Sequence, residues 1–306
     1  MAGRKEATVD EPVRLTTLDM ARFVADGYLR FDAVVPDELN RGVLEELSAL
    51  LGRRSDDPGP FQPRSGTPLG DCYPADSAIR QVYELPVVAG AIRSLAGKNP
   101  LFDHHAIHFN PAGSPRVQDL HCDAAIDSGD PTFDIQLFYF PHDVGEGEGG
   151  TRFVPGSHIR NIHENSVARY QHFAGEQFFS GPAGTILIFH QGMWHAGQAN
   201  PSDKHRWMFK LRLNPTEPQV RLWDTSDYDE VTTGPWDHMF ATTGEGRTVA
   251  AILRKMHPWS FDGEYRIEMM ERVRLWRYLS GDADFDVDWY RTRIEGRAGL
   301  LDGADA

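Results

Sequence analysis

Long apolar runs are missing from this 306-residue chain. Nothing in it approaches the ~18–20 consecutive apolar residues needed to span a bilayer. The opening MAGRKEATVDEPVR carries charge with no apolar stretch behind it, so it reads as neither a signal peptide nor an anchor. Cysteine is scarce: Cys72 and Cys122 are too few for a disulfide framework and suit a reducing compartment. Positive charge is short as well. Lys and Arg number 31 against 45 Asp and Glu, a formal net charge of -14. That balance repels nucleic acid phosphates and weakly disfavours a polyanionic substrate such as a coenzyme A thioester. The expectation is a cytoplasmic protein with neither nucleic acid nor a membrane as partner.

The remaining 40% hydrophobic and 25% charged composition is that of a globular chain with a sizeable core. Residues 1–12 read as a disordered tail, and 13–306 as a single domain. A helical pattern from Leu18 to Val24 stops at Asp26-Gly27, and an extended YLRF follows. Pro36-Asp37 opens a second helix with Leu39, Val43, Leu44, Leu47 and Leu51 along one face. Residues 52–76 are rich in Pro, Gly and Asp, the texture of a functional lid or mobile segment. A further helix is expected over about 77–96.

From Leu101 the pattern becomes short β-like runs between turns, near 101–109, 117–123, 133–140, 151–154, 184–190 and 206–213. Such spacing predicts a mainly β chain with a jelly-roll core over about 100–215, preceded by helices. The stretch from about 216 to 306 reads as an extension. Its helix over 264–279 carries Met269, Met270, Val273, Trp276 and Leu279 on one side and a Glu268/Arg272 pair.

Within the β region, Gln118-Asp119-Leu120-His121-Cys122-Asp123 holds an imidazole and a carboxylate two positions apart. On a strand both would project from one face, with Cys122 turned away. His195, in GTILIFHQGMWHAG, is the third candidate. Two histidines and one carboxylate leave half of an octahedral metal open, as in non-haem iron(II) oxygenases. A His-x-Asp triplet alone is weak, since a lone core histidine is more often simply hydrogen-bonded. Arg206 strengthens it. This residue stands eleven beyond His195 at the start of RWMFKLRL, where a turn through Asn200-Pro201-Ser202-Asp203 would return it beside the histidine. Its planar fork fits a carboxylate bidentately, although a surface Arg at a strand start is the bland alternative.

HCD, GGTRFVPGSH (149–158), WHAGQAN (194–200) and Arg206, together with FVADGYLRF and VVPDELNRGVLEEL, resemble the phytanoyl-CoA dioxygenase family of iron(II)/2-oxoglutarate oxygenases over residues 18–213. The resemblance implies a double-stranded β-helix, iron(II) on His121, Asp123 and His195, and Arg206 on the far carboxylate of 2-oxoglutarate. With dioxygen as co-reactant, an unactivated C–H bond of a small molecule would be hydroxylated while 2-oxoglutarate becomes succinate and carbon dioxide. A role in tailoring bacterial secondary metabolites is the expected setting. Desaturation, epoxidation, ring formation and hydroxylation of a peptide stay open, and a non-catalytic binding protein is the remaining alternative.

The resemblance also makes Gln118 a cosubstrate contact, although strand parity turns an odd offset away from His121 unless a bulge intervenes. Two departures from the family stand out. Gly197 occupies a position where some members have Ser, and a central-strand Trp is replaced within FDIQLFYF. Gln136 or Phe138 takes its place, Gln136 as a further cosubstrate contact and Phe138, with His108, as a wall of the substrate pocket. Asp123 favours oxygen insertion over halogenation, because related halogenases put a small residue there. His104, His105, His142 and His190 read as hydrogen-bonded strand or loop residues, His158 as a turn-fixing one, and Cys122 as a small core hydrophobe. Trp194 and Trp207 read as packing.

Overall fold

The computed structural model describes residues 12–51, 63–123, 130–160, 172–232, 247–260 and 262–287. The expected tail lies outside these residues except for Pro12, and so does the 52–62 part of the Pro/Gly-rich segment.

Helix α1 (Thr17–Asp26) starts where Thr16 and Asp19 close a capping box, and it stops at Gly27, whose φ of 78° supplies the left-handed cap. A helix end leaves its last carbonyls without partners, and here distant segments supply them. His158 Nε2 donates to Val24 O (3.1 Å), His257 Nε2 to Ala25 O (3.0 Å), and the Gly156 N–H to Asp26 O (2.8 Å). The Pro-Gly-Ser-His turn and the C-terminal segment are thereby fastened to one helix. Helix α2 (Asp37–Leu51) follows Pro36, with Asp37 and Glu38 in its first turn, where the helix dipole favours negative charge.

The single helix expected over 77–96 is two, α3 (Ala78–Glu84) and α4 (Pro86–Ala96). Pro86 brings no N–H, and its ring disfavours a helical residue before it, so Leu85 turns to ψ 136° and the chain breaks there.

Five antiparallel strands form the major sheet: β1 (Tyr28–Phe31), β2 (Leu101–Asn110), β3 (Ile135–Phe140), β6 (Thr185–His190) and β8 (Arg206–Asn214), in the order β1-β6-β3-β8-β2. A minor sheet is built from β4 (Thr151–Phe153), β5 (Gln177–Phe178) and β7 (His195–Gly197), in the order β5-β4-β7. The period-2 alternation of the major sheet gives it two apolar faces. Ile135, Leu137, Tyr139, Ile186, Ile188, Trp207, Phe209, Leu211 and Leu213 join the larger core that includes the helices. Phe138, Phe140, Leu187, Phe189 and Met208 face the other way and share a core with Phe153 of the minor sheet. This is the jelly-roll, with the site between its two sheets.

The strand expected over 117–123 is absent as regular structure. Two isolated bridges, Ser114↔Asn200 and His121↔His195, hold this segment against β7 and the turn after it. Seven residues separate the bridges on one side and five on the other (114 to 121 against 195 to 200), so the extra residues break the alternation.

Helices α5 (Tyr228–Thr232), α6 (Val249–Leu253) and α7 (Asp262–Ser280) complete the described chain. Met269, Val273, Trp276 and Leu279 of α7 are buried in the larger core, with Trp276 against Trp223 at 5.8 Å. The expected Glu268/Arg272 pair is present at 3.8 Å.

His190, at the end of β6, stacks on Phe133 at 4.8 Å and accepts a hydrogen bond at Nδ1 from the Gly192 N–H. Burial pushes its pKa from 6.5 down to about 3, so the folded state keeps it neutral. A group depressed in this way contributes stability that is full above its unfolded pKa and is lost as pH falls toward the folded value. Denaturant unfolding should therefore show stability declining from about pH 6.5 to 4, with a shallower decline in His190→Gln. An identical slope in the variant would contradict the assignment.

Candidate active site

The site begins with two backbones. His121 and His195 exchange both main-chain hydrogen bonds, His121 N–H to His195 O at 3.0 Å and His195 N–H to His121 O at 2.8 Å. Residues paired this way in antiparallel strands put their side chains on the same face. The imidazoles accordingly lie with centroids 4.6 Å apart. Each Nδ1 is 2.8–3.0 Å from a main-chain carbonyl, Asp119 O for His121 and Met193 O for His195. A carbonyl only accepts, so Nδ1 carries the proton in both rings and the Nε2 lone pairs are free.

Those lone pairs converge on Asp123. His121 Nε2 is 3.7 Å from Asp123 Oδ1, and His195 Nε2 is 3.4 Å from Oδ2. One donor atom from each of the three residues falls within 4.8 Å of the others. Ligands on adjacent positions of a metal with bonds near 2.1 Å lie about 3 Å apart, so the set suits an ion after a small contraction. Burial, followed by the nearby His195, lowers the His121 pKa and favours the neutral ligand form. For Asp123, burial pushes the pKa up, but the neighbouring His195 ring and the Lys210 ammonium outweigh it and hold the carboxyl well below the usual carboxylate range. The donor chemistry and the fixed ring orientations fit a divalent metal.

Strand β8 supplies the other wall. Arg206, Met208, Lys210 and Arg212 share its inward face by the two-residue period. Arg206 is only 5% exposed; its Nε donates to Gly149 O at 2.9 Å, and its Nη1 has no partner among the described residues. Burial lowers its pKa to about 10. No carboxylate among the described residues meets this buried guanidinium, so its unsatisfied N–H suits an anion. Lys210 was not among the residues singled out from the sequence, and it contacts Asp123 Oδ2 directly. The signal was available in RWMFKLRL, where the lysine falls four residues after Arg206 and hence on the same side. Arg212 ties the Asp123 loop down, donating to Asp123 O (2.9 Å) and pairing with Asp134 (2.5 Å) and Asp103 (3.1 Å).

These residues enclose a cavity of about 510 Å³. Its lining brings together His121, Asp123, His195, Arg206, Gln118, Phe138 and His108. Gln118 reaches it because the broken alternation of its segment lets its side chain, and not a main-chain carbonyl, accept the Gly197 N–H at 2.9 Å. The His108 pKa falls to about 4, through burial and then through Lys210 and Arg206, and its Nε2 has no partner among the described residues. Phe138 packs edge-on to His195 at 5.4 Å.

Gln136 is different. It is buried on β3 opposite Phe189 and Arg212 and does not line the cavity, so the expected cosubstrate contact has no place on the wall. Of Gln136 and Phe138, Phe138 alone lines the cavity. Among the remaining histidines, His104 pairs with Asp103 at the surface, and His142 Nε2 accepts from the Trp207 N–H at 2.7 Å. Cys122 is half-buried against the small cluster of Leu120, Val154, Trp194 and Ala196.

The glycine at 197 has a steric reason. A Cβ there would lie 2.8 Å from Gln118 Oε1. Gly197→Ser should therefore displace the flexible end of the Gln118 side chain and cost about 0.5–1.5 kcal/mol, the worth of the hydrogen bond that it gives up. A crystal structure of the variant with Gln118 unmoved would contradict this account.

The family model described as phytanoyl-CoA dioxygenase (PhyH) matches residues 23–208. Comparison with curated proteins finds no match. Among solved structures, HygX from Streptomyces hygroscopicus with nickel and 2-oxoglutarate bound is 17% identical, with a TM-score of 0.50 over 66% of this chain and 88% of that one. HygX is also known with hygromycin B bound, at 16% identity and the same TM-score and coverage. EctD from S. alaskensis with 2-oxoglutarate and 5-hydroxyectoine is 19% identical, with a TM-score of 0.50 over 69% of this chain and 79% of that one. At these identities the likeness is one of fold. No helix among the described residues is long and apolar enough to cross a membrane.

Proposed function

The chain belongs to the phytanoyl-CoA dioxygenase family of iron(II)- and 2-oxoglutarate-dependent oxygenases, and we propose that it hydroxylates an unactivated C–H bond of a small organic molecule in the cavity between its two sheets. The observation that carries this reading is Arg206. Its buried, carboxylate-free guanidinium lines the same cavity as the only His/Asp cluster of metal-binding geometry among the described residues. A metal site alone needs no such cation, and a binding protein needs neither.

In this reading His121, Asp123 and His195 hold the iron, with their free Nε2 lone pairs and the carboxylate as donors. Bound there, iron(II) with 2-oxoglutarate supplies the activation of dioxygen that oxidises the C–H bond while 2-oxoglutarate becomes succinate and carbon dioxide. Arg206 receives the far carboxylate of 2-oxoglutarate, and its Nε bond to Gly149 O fixes the fork before the cosubstrate arrives. Gln118 is aligned by Gly197 at the same wall. Arg212 sets the orientation of the Asp123 loop, and Phe138 and His108 bound the space left for substrate. Phe138, Phe153, Phe189 and Met208 form the dry wall behind the site that keeps water from the reacting centre.

A cavity of about 510 Å³ is of the size that takes small molecules. The small ligands named for HygX and EctD support the same class, and a setting in bacterial secondary metabolism fits them.

Succinate release from 2-oxoglutarate should be lost in His121→Ala and in Asp123→Ala, along with tight iron binding; full activity in either would overturn the ligand assignment. Arg206→Ala should raise the 2-oxoglutarate requirement at least about 30-fold, since breaking a buried charge pair costs roughly 2 kcal/mol or more. An unchanged dependence would place the anchor elsewhere.

A further inference from the structure

Arg206 has a task in the reading above; a second buried cation in the same cavity has none. The Lys210 side chain is 7% exposed, its Nζ contacts Asp123 Oδ2, and it stands 5.4 Å from the centre of the Phe138 ring. Arg116 lines the same cavity from an exposed position at its mouth. Counting the ionised groups among the described lining residues gives Arg116, Arg206 and Lys210 against Asp123 alone. Three cations therefore face one carboxylate, in a chain whose formal net charge is -14.

Loading the site does not remove the imbalance. A divalent metal adds two positive charges and the dianionic cosubstrate removes two, so the cavity that receives substrate keeps an excess of two positive charges. The metal also draws on Asp123, the carboxylate that otherwise neutralises Lys210. An ammonium held in a low-dielectric cavity and deprived of its counter-charge strongly favours a new one. The acidity of the whole chain does not oppose this, because exposed charges beyond a Debye length of about 8 Å are screened.

We propose that the substrate is an organic acid whose carboxylate is held by the Lys210 ammonium, with Arg116 drawing it in at the mouth. The proposal rests on the iron(II)/2-oxoglutarate reading and narrows its substrate class. His108, with an unpartnered Nε2 on the same wall, offers a neutral polar contact beside the acid. The competing role for Lys210 is to position Asp123 and nothing more.

The test uses the full chain loaded with manganese(II) and 2-oxoglutarate, and two matched probe pairs: hexanoate with hexanamide, and 3-phenylpropionate with 3-phenylpropionamide. Paramagnetic relaxation of the probe protons reports binding beside the metal without turnover. Relaxation of 2-oxoglutarate itself is read first; if it is absent, the iron(II)/2-oxoglutarate reading fails and not this one alone. With it present, each acid should bind about tenfold or more tighter than its amide, as a charge-assisted contact requires. Lys210→Met should erase the preference, Lys210→Arg should keep it, and Arg116→Gln should reduce it. Equal behaviour of acid and amide, including no binding of either, overturns the proposal. So does a preference that survives Lys210→Met. Should Lys210→Met fail to hold manganese, the wild-type pairs with Lys210→Arg and Arg116→Gln decide: a missing wild-type preference, or one lost in Lys210→Arg or unchanged in Arg116→Gln, overturns it.

Discussion

The site depends on one pair of reciprocal main-chain hydrogen bonds, those joining His121 to His195. They bring an irregular segment and a short strand from the far side of the β-region into antiparallel contact. The two imidazoles then face the same way without any side-chain interaction having to steer them. The carbonyls of Asp119 and Met193, on the same two segments, fix the ring tautomers. Asp123 follows two residues after His121 and needs only the grip of Arg212 on its carbonyl to complete the set. The geometry of the His/Asp set is thus written mostly in backbone, the least adjustable part of the chain.

Strand β8 carries the opposite constraint, an inward face where Arg206, Lys210 and Arg212 interrupt a hydrophobic alternation. Burying cations in this way costs free energy unless anions meet them. Asp123 and Asp134 meet two of the three, and the Arg206 Nη1 has no partner among the described residues. The jelly-roll tolerates the cost because the other face of the same strand, Trp207, Phe209, Leu211 and Leu213, is packed into the larger core. One strand therefore packs into the core on one side and lines the cavity on the other.

Much of this was legible in the sequence because it rests on local patterns. Gly27 ends its helix where a positive φ is needed, strands β2, β3, β6 and β8 follow their apolar runs, and the spacing of Arg206 after His195 survives as a shared cavity. What was not legible depends on tertiary register. The segment 117–123 reads as a strand, yet bulging leaves a single bridge at His121; that same irregularity lets Gln118 reach the cavity against parity. Gln136 has the right strand for a cosubstrate contact but is buried opposite Phe189 and Arg212, off the cavity wall. Lys210 was legible too, four residues after Arg206 and so on the same face of the strand; what the sequence does not show is its contact with Asp123. The net charge is an average over the whole chain and does not give the balance of charge lining one cavity.

The central claim is that metal and 2-oxoglutarate occupy one cavity assembled by the histidine pair and Arg206. It is tested most directly by anaerobic calorimetric titration of iron(II) and then 2-oxoglutarate into the wild-type chain, His195→Ala and Arg206→Ala. The account predicts one iron per wild-type chain and 2-oxoglutarate binding that requires it. In His195→Ala both should be lost or greatly weakened, and in Arg206→Ala only the second. Iron binding unaffected by His195→Ala, or 2-oxoglutarate binding independent of iron, would contradict it.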